Sequence, residues 1–228
     1  MAERIGHNFL DTSEASTLSY DFVDIASGQA MKVFYPMTAN EDTDQVYILS
    51  PSILDSQTTS TVGTDITEQV MTMHFDKDFD MIFNTPRTVE GQALVVFTGG
   101  MDKINGDDND VTIQWVAKFQ KYSGTTETAI AHLSGTNWVD EVTAAGPINK
   151  EFTFAVTLPK THFAINDKLR LTIQGLAKTN AAATDGRLGM AHDPSNRNDD
   201  YRETGAAKII GDAYDTKMTV AVPFRLQE

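Results

Sequence analysis

Apolar and polar residues alternate almost without error from Glu151 to Leu158 and again from Lys168 to Ile173, with Pro159 to Asp167 between the runs. In the first run Phe152, Phe154, Val156 and Leu158 share one side and Thr153, Ala155 and Thr157 the other, which is the period of a half-buried strand. The second run repeats it with Leu169, Leu171 and Ile173 inward. Upstream, Met71, Met73 and Phe75 and then Phe79, Met81 and Phe83 predict two consecutive strands linked at Asp76 to Asp78. Gln92 to Phe97 predicts a short apolar strand. Val111, Ile113, Trp115, Ala117 and Phe119 alternate up to a turn at Ser123-Gly124, after which Thr128 to Leu133 is expected to pair back as a hairpin.

Trp138 to Pro147 is less regular and reads as a loop or a short edge strand. The last strand is predicted over Met218 to Leu226, with Pro223 on the side opposite Val220, Val222 and Phe224, a placement that suits an edge or a strand end. No segment longer than two turns shows helical spacing with capping signals, so helices are expected to be few and short. About eight strands with polar turns predict an all-β protein, an antiparallel jelly-roll-like β-sandwich. Residues 1–65, rich in Ser, Thr and Asp, read as an extended N-terminal arm with short strands, and 66–228 as the sandwich. Residues 175–217 carry almost no alternation and predict a long loop in the C-terminal half; loops of that length usually contact something.

Composition narrows the function. With 228 residues, 40% of them hydrophobic and 12 of them Phe, the chain can bury a sizeable core. Its 32 acidic against 18 basic residues give a formal charge of -14 with no basic run, which argues against nucleic-acid binding because phosphate contact needs a concentrated positive face. The absence of Cys excludes disulfides, thiolate metal sites and a cysteine nucleophile. Met1 to Phe9 has neither a signal-peptide pattern nor an apolar stretch of spanning length, so the expectation is a protein made in a cytoplasm, with no membrane partner.

Two acidic clusters are the candidates for chemistry. Asp102, Asp107, Asp108 and Asp110, with Asn105, lie between two predicted strands among Gly99, Gly100 and Gly106, a composition that could supply oxygen ligands to calcium, although the spacing is not that of an EF-hand and a solvated turn explains it equally. His192 to Tyr201 reads better as an Asx-rich turn around Pro194 than as a catalytic pair, because adjacent residues such as His192 and Asp193 point apart on an extended chain. Arg197 and Tyr201 in that turn are expected to make interface hydrogen bonds. His74 lies on the side opposite Met73 and Phe75 and is expected to see solvent or a subunit contact. Trp115 sits in the inward register of its strand, which leaves Trp138 as the exposed aromatic platform. There is no HExxH, no G-x-S-x-G and no phosphate-binding glycine loop, and the chain is expected not to be an enzyme.

Leu18 to Gly28, the block from Phe79 to Val96 with Asn84-Thr85-Pro86-Arg87, and Lys168-Leu169-Arg170-Leu171-Thr172-Ile173 together resemble virion proteins of tailed bacteriophages. The resemblance implies a jelly-roll sandwich that decorates or cements the capsid, often as a homotrimer, through an N-terminal arm and a loop. Its implied partners are the major capsid protein or other virion proteins, and its place is the virion. No resident cofactor is implied. The competing expectation is a carbohydrate- or receptor-binding β-sandwich module, calcium-dependent through the Asp102 to Asp110 loop, with Trp138 stacking on a sugar.

Overall fold

A computed structural model of the chain describes residues 28–41, 44–54, 56, 60–103, 111–140, 146–180, 186–196 and 217–226. Twelve strands run through them: β1 Gln29–Glu41, β2 Asp44–Ser50, β3 Ser60–Ile66, β4 Thr72–Ile82, β5 Arg87–Lys103, β6 Val111–Ser123, β7 Thr126–Ser134, β8 Trp138–Asp140, β9 Gly146–Phe163, β10 Lys168–Thr179, β11 Gly186–Ala191 and β12 Thr219–Arg225. No helix occurs among the described residues. The protein is all-β and sandwich-like, as the alternation predicts.

Two sheets share β1. Its first half, Gln29 to Phe34, pairs with β12, and its second half, from Tyr35, pairs with β2. Pro36 follows the handover directly; it has no N–H to give to a ladder and a fixed φ, so it suits a strand that changes partners. In the first sheet β5 is central: β9 lies along one side of it, while β12 takes the other side at Val89 to Val96 and β11 takes it at Gly99 to Lys103, with β3 beyond β11. The second sheet runs β1, β2, β4, β10, β6, and β6 ends against β7 along one stretch and β8 along another. Every ladder is antiparallel except a single parallel bridge, Ile48 to Asp80, between β2 and β4.

Trp115 on β6 fills the middle of the core, with Phe75 at 5.5 Å and Phe97 at 5.3 Å, both edge-on. Burying such rings contributes about 1.5–3 kcal/mol each. The indole fits because two glycines stand against it: a Cβ on Gly99 would come within 2.8 Å of Trp115 Nε1, and one on Gly175 within 2.9 Å of Trp115 Cζ3. At one end of the sandwich Phe83 and Phe163 meet at 4.6 Å, and Phe224 packs against both Phe34 and Phe83.

Several sequence expectations change. The two strands expected around Asp76 to Asp78 are one continuous β4, because those residues stay extended and pair with Gln174 and Thr172 of β10. Within 1–65, β1 to β3 are members of the sheets, and Phe34 and Leu49 are buried in the core beside Ile66; the division at 65/66 therefore does not separate an arm from a sandwich from Gln29 onward. Residues 1–27 lie outside the described residues. Within 175–217, β10 continues to Thr179 and β11 is inserted between β3 and β5. The alternation fails in β11 because Leu188, Gly189, Met190 and Ala191 are all buried. Finally, β12 is interior rather than an edge, and its ladder with β5 shifts register between Ala221 and Phe224, which accommodates Pro223.

Candidate functional site

The candidate site is a surface, the part of the first sheet's outer face formed by β9, β5, β12 and β1; on the remainder, formed by β11 and β3, Arg187 pairs with Asp65. Alternation fixes it: Ala93 and Val95 on β5, Phe154, Val156 and Leu158 on β9, Val220, Val222 and Phe224 on β12 and Phe34 on β1 point into the core. The residues between them point outward: Gln92, Leu94 and Val96; Thr153, Ala155 and Thr157; Thr219 and Ala221; Met31, Val33 and Tyr35; Pro223 of β12 is buried. The register aligns them across the strands, so that Ala155, Leu94, Ala221 and Val33 form one row. Leu94 and Val33 are 40% and 41% exposed. None of these side chains is charged. Charges stand at the two ends of the patch, where Arg225 donates to Glu90 at one end and Lys217 lies over the Tyr35 ring with exposed Glu151 nearby in sequence to Thr153 at the other.

The outer face of the second sheet has the opposite chemistry. Arg170 on β10 donates from Nε to Asp80 Oδ1 at 2.7 Å and from Nη2 to Asp80 Oδ2 at 2.9 Å, while its Nη1 lies 3.0 Å from Asp78 and 3.7 Å from Glu127. The guanidinium also covers the Tyr122 ring at 4.9 Å. Lys168 donates to Asp80 at 3.2 Å, and the Thr172 hydroxyl lies 2.6 Å from Asp78 and 2.7 Å from Gln120. Partial burial alone would raise the Asp80 carboxyl, but the hydrogen bonds and charges of Arg170 and Lys168 outweigh it and hold the group below the ordinary carboxylate range. The hydrogen bonds to Asp80 likewise raise Arg170, against the effect of its own desolvation. These groups are spent on one another.

Between the sheets lies His192, fully buried, with its ring 6.0 Å from both Tyr47 and Phe79. Burial pushes its pKa down to about 4, with nearby Lys77 adding to the effect and Asp193 opposing it. The imidazole is neutral and serves packing. Asp193 closes the predicted turn: its Oδ1 accepts from Ser195 N at 3.1 Å and its carbonyl from Asn196 N at 3.1 Å, with Asn196 at φ 56°.

His74 is buried, not solvent-facing. Strand β3 passes over it, so closely that a Cβ on Gly63 would meet the His74 carbonyl oxygen at 2.5 Å. Its Nδ1 is 3.1 Å from the Thr64 hydroxyl and its Nε2 is 3.1 Å from Glu68, which brace β3 against β4. The Glu68 carboxyl is held below its usual range chiefly by the Thr67 backbone N–H. One lysine, Lys32 on β1, faces inward, and burial holds its ammonium below its usual range.

Of the residues singled out in the sequence, Asp102 lies in β5 opposite Pro147 and Arg187, and Asp107, Asp108 and Asp110 lie outside the described residues, as do Arg197 and Tyr201. Among the described residues no three His, Asp or Glu side chains converge as metal ligands would. Trp115 is a core residue, as expected. Trp138 is not an exposed platform: it is half-buried in β8 with its ring 5.7 Å from Phe152. The neutral face went unread in the sequence because its members come from four segments that only the register brings together.

No protein family and no curated protein matches the chain. Among solved structures it is similar to a CocE/NonD family hydrolase from Staphylococcus aureus at 11% identity and a TM-score of 0.43, the match covering 84% of this chain and 36% of that one. It is also similar to an aminopeptidase from the marine sediment archaeon Thaumarchaeota archaeon, at 8% identity and a TM-score of 0.45 over 84% of this chain and 36% of that one. A third match is an alpha-amino acid ester hydrolase, at 12% identity and a TM-score of 0.40 over 85% and 35%. The chain thus spans about a third of the length of these structures. The expectation that it is not an enzyme is overturned by these matches, which are named as hydrolases and an aminopeptidase, and it is withdrawn. At such identities and TM-scores the likeness carries no reaction, substrate or reacting residue to this chain.

Proposed function

We propose that this chain is a structural part of a virion that decorates or cements the shell by surface contact. The observation that carries the reading is the neutral outer face of the first sheet, in a chain whose formal charge is -14. A solvated sheet face in so acidic a protein is expected to look like β4 and β10 of the second sheet, where carboxylates and cations face one another across the strands. A broad uncharged patch suits a contact that excludes water. Many copies on one particle would turn weak individual contacts into firm attachment, and the acidic remainder of the surface would keep particles dispersed. The similarity of Leu18 to Gly28, Phe79 to Val96 and Lys168 to Ile173 to virion proteins of tailed bacteriophages supports the same reading, with the major capsid protein or other virion proteins as partners.

Quantitative mass spectrometry of density-purified particles from cells expressing the genome that encodes the chain tests this. The chain is expected in a fixed ratio to the shell protein. Its recovery from the soluble fraction alone would overturn the reading.

A further inference from the structure

The neutral face has a composition that solvation does not explain. Soluble surfaces carry about 25–35% charged side chains, yet Val33, Leu94, Thr153, Ala155, Thr157 and Ala221 lie in one patch on four adjoining strands without a single charge. Glu90 with Arg225 and Lys217 with Glu151 mark its two ends. An uncharged centre inside a charged rim is the anatomy of a protein interface.

We propose that this face docks a second copy of the chain, sheet against sheet. The inference rests on the virion reading for its setting and assigns this face to contacts between copies of the chain on one particle, which would cement the shell by holding one another. Charge selects the occupant. A basic partner would find nothing to pair with here and would be drawn to the carboxylates of the remaining surface. A second copy brings a further formal charge of -14, and two such chains approach at least cost through a surface on which neither carries charge, with their carboxylates turned outward. Shape agrees: Leu94 and Val33 stand beside Ala155 and Ala221 in one row, so the row alternates ridge and hollow and can interdigitate with its own copy at the sheet spacing of about 10 Å.

The area sets the strength. Four strands about 4.8 Å apart, used over about seven residues at 3.4 Å each, give roughly 450 Å² per copy. Two copies then bury about 900 Å² before the rim is counted, close to the threshold of about 1,000 Å² for a specific interface. The pairing is therefore weak and concentration-dependent. Because the face meets itself, the contact closes at two copies, and a trimer would need a different patch.

Sedimentation velocity of the full chain, over a concentration series at low and high salt, tests the proposal. The expected result is a monomer–dimer equilibrium that tightens at high salt, because screening weakens the repulsion between two acidic copies. Leu94→Lys should weaken association at least about tenfold by setting like charges together in the contact. Gln174→Lys, on the outer face of the second sheet, should leave it unchanged. Thermal unfolding checks that each variant is folded, and Ala155→Lys replaces Leu94→Lys if the latter is not. A chain that stays monomeric, a dimer that salt weakens, or a dimer indifferent to the lysine variants would overturn the proposal. A chain found in particles but monomeric in solution would remove the docking and leave the virion reading standing; a dimer absent from particles would do the reverse.

Discussion

The two outer faces of this sandwich use the same cross-strand geometry for different ends. On the second sheet the outward positions opposite one another are Asp80 with Arg170, Asp78 with Thr172 and Asp76 with Gln174, and each pair is joined by a hydrogen bond. On the first sheet the corresponding row is Ala155, Leu94, Ala221 and Val33, which form no polar link at all. Cross-strand pairs contribute about 0.2–1 kcal/mol each to a sheet, so the charged face helps to hold the monomer together. The neutral face forgoes that contribution. What it gains is a surface from which water can be removed without stranding a charge.

The two faces lean on one interior, and His192 is where that interior is most easily disturbed. It follows β11 of the first sheet and lies against Tyr47 and Phe79 of the second. Burial lowers its pKa to about 4 in the folded protein, against about 6.5 unfolded. The unfolded chain therefore binds the proton first as the pH falls. The stabilisation is fully present above pH 6.5, is lost progressively on acidification, and reaches its full loss of about 3 kcal/mol near pH 4. Chemical denaturation between pH 7 and pH 4 should show this slope, and His192→Leu should flatten it. An unchanged slope in that variant would assign the acid sensitivity to other groups.

A smaller effect is expected on the charged face itself. Arg170→Ala leaves Asp78 and Asp80 adjacent, with Lys168 still paired to Asp80, and should cost about 2 kcal/mol, less than a fully buried pair because the site is partly solvated. The double variant Arg170→Met with Asp80→Leu removes both sides of the pair and should recover most of that loss, as urea midpoints would show. A loss from Arg170→Ala below about 0.5 kcal/mol, the usual range for surface substitutions, would mean that the charged face stabilises the monomer no more than the neutral one does.

Sequence reading reached the strands in which polar residues alternate with apolar ones. Glu151 to Leu158, Lys168 to Ile173 and Val111 to Phe119 all lie in strands, and the hairpin at Ser123-Gly124 forms with Gly124 at φ 60°. It failed where both sides of a strand are covered, as in β11, since alternation reports a boundary with water and none exists there. It failed at His74 and Trp138 for a related reason: β3 covers the first and Phe152 the second, and neither neighbour is local in sequence. The neutral face was half legible. The outward positions of 153–157 and 219–221 are visibly uncharged, but that they adjoin those of β1 and β5 is a matter of register, which periodicity within one strand does not encode.

The smallest expected effect is the most direct test of whether the neutrality of the first sheet serves the fold or a partner. Leu94 and Ala155 are opposite one another across β5 and β9, so Leu94→Glu with Ala155→Lys would write onto this face the kind of pair that the other face already carries. Both side chains point to solvent in the monomer. The pair should add a few tenths of a kcal/mol while the partial burial of Leu94 is given up, leaving the unfolding midpoint changed by no more than about 0.5 kcal/mol in either direction. The variant would then be as stable as the parent while its neutral patch no longer exists. If the double variant instead loses more than about 1 kcal/mol, beyond what a surface pair can account for, the fold itself requires the neutrality. The absence of charge would then be a property of how these four strands pack, and the contrast between the two faces would say nothing about partners.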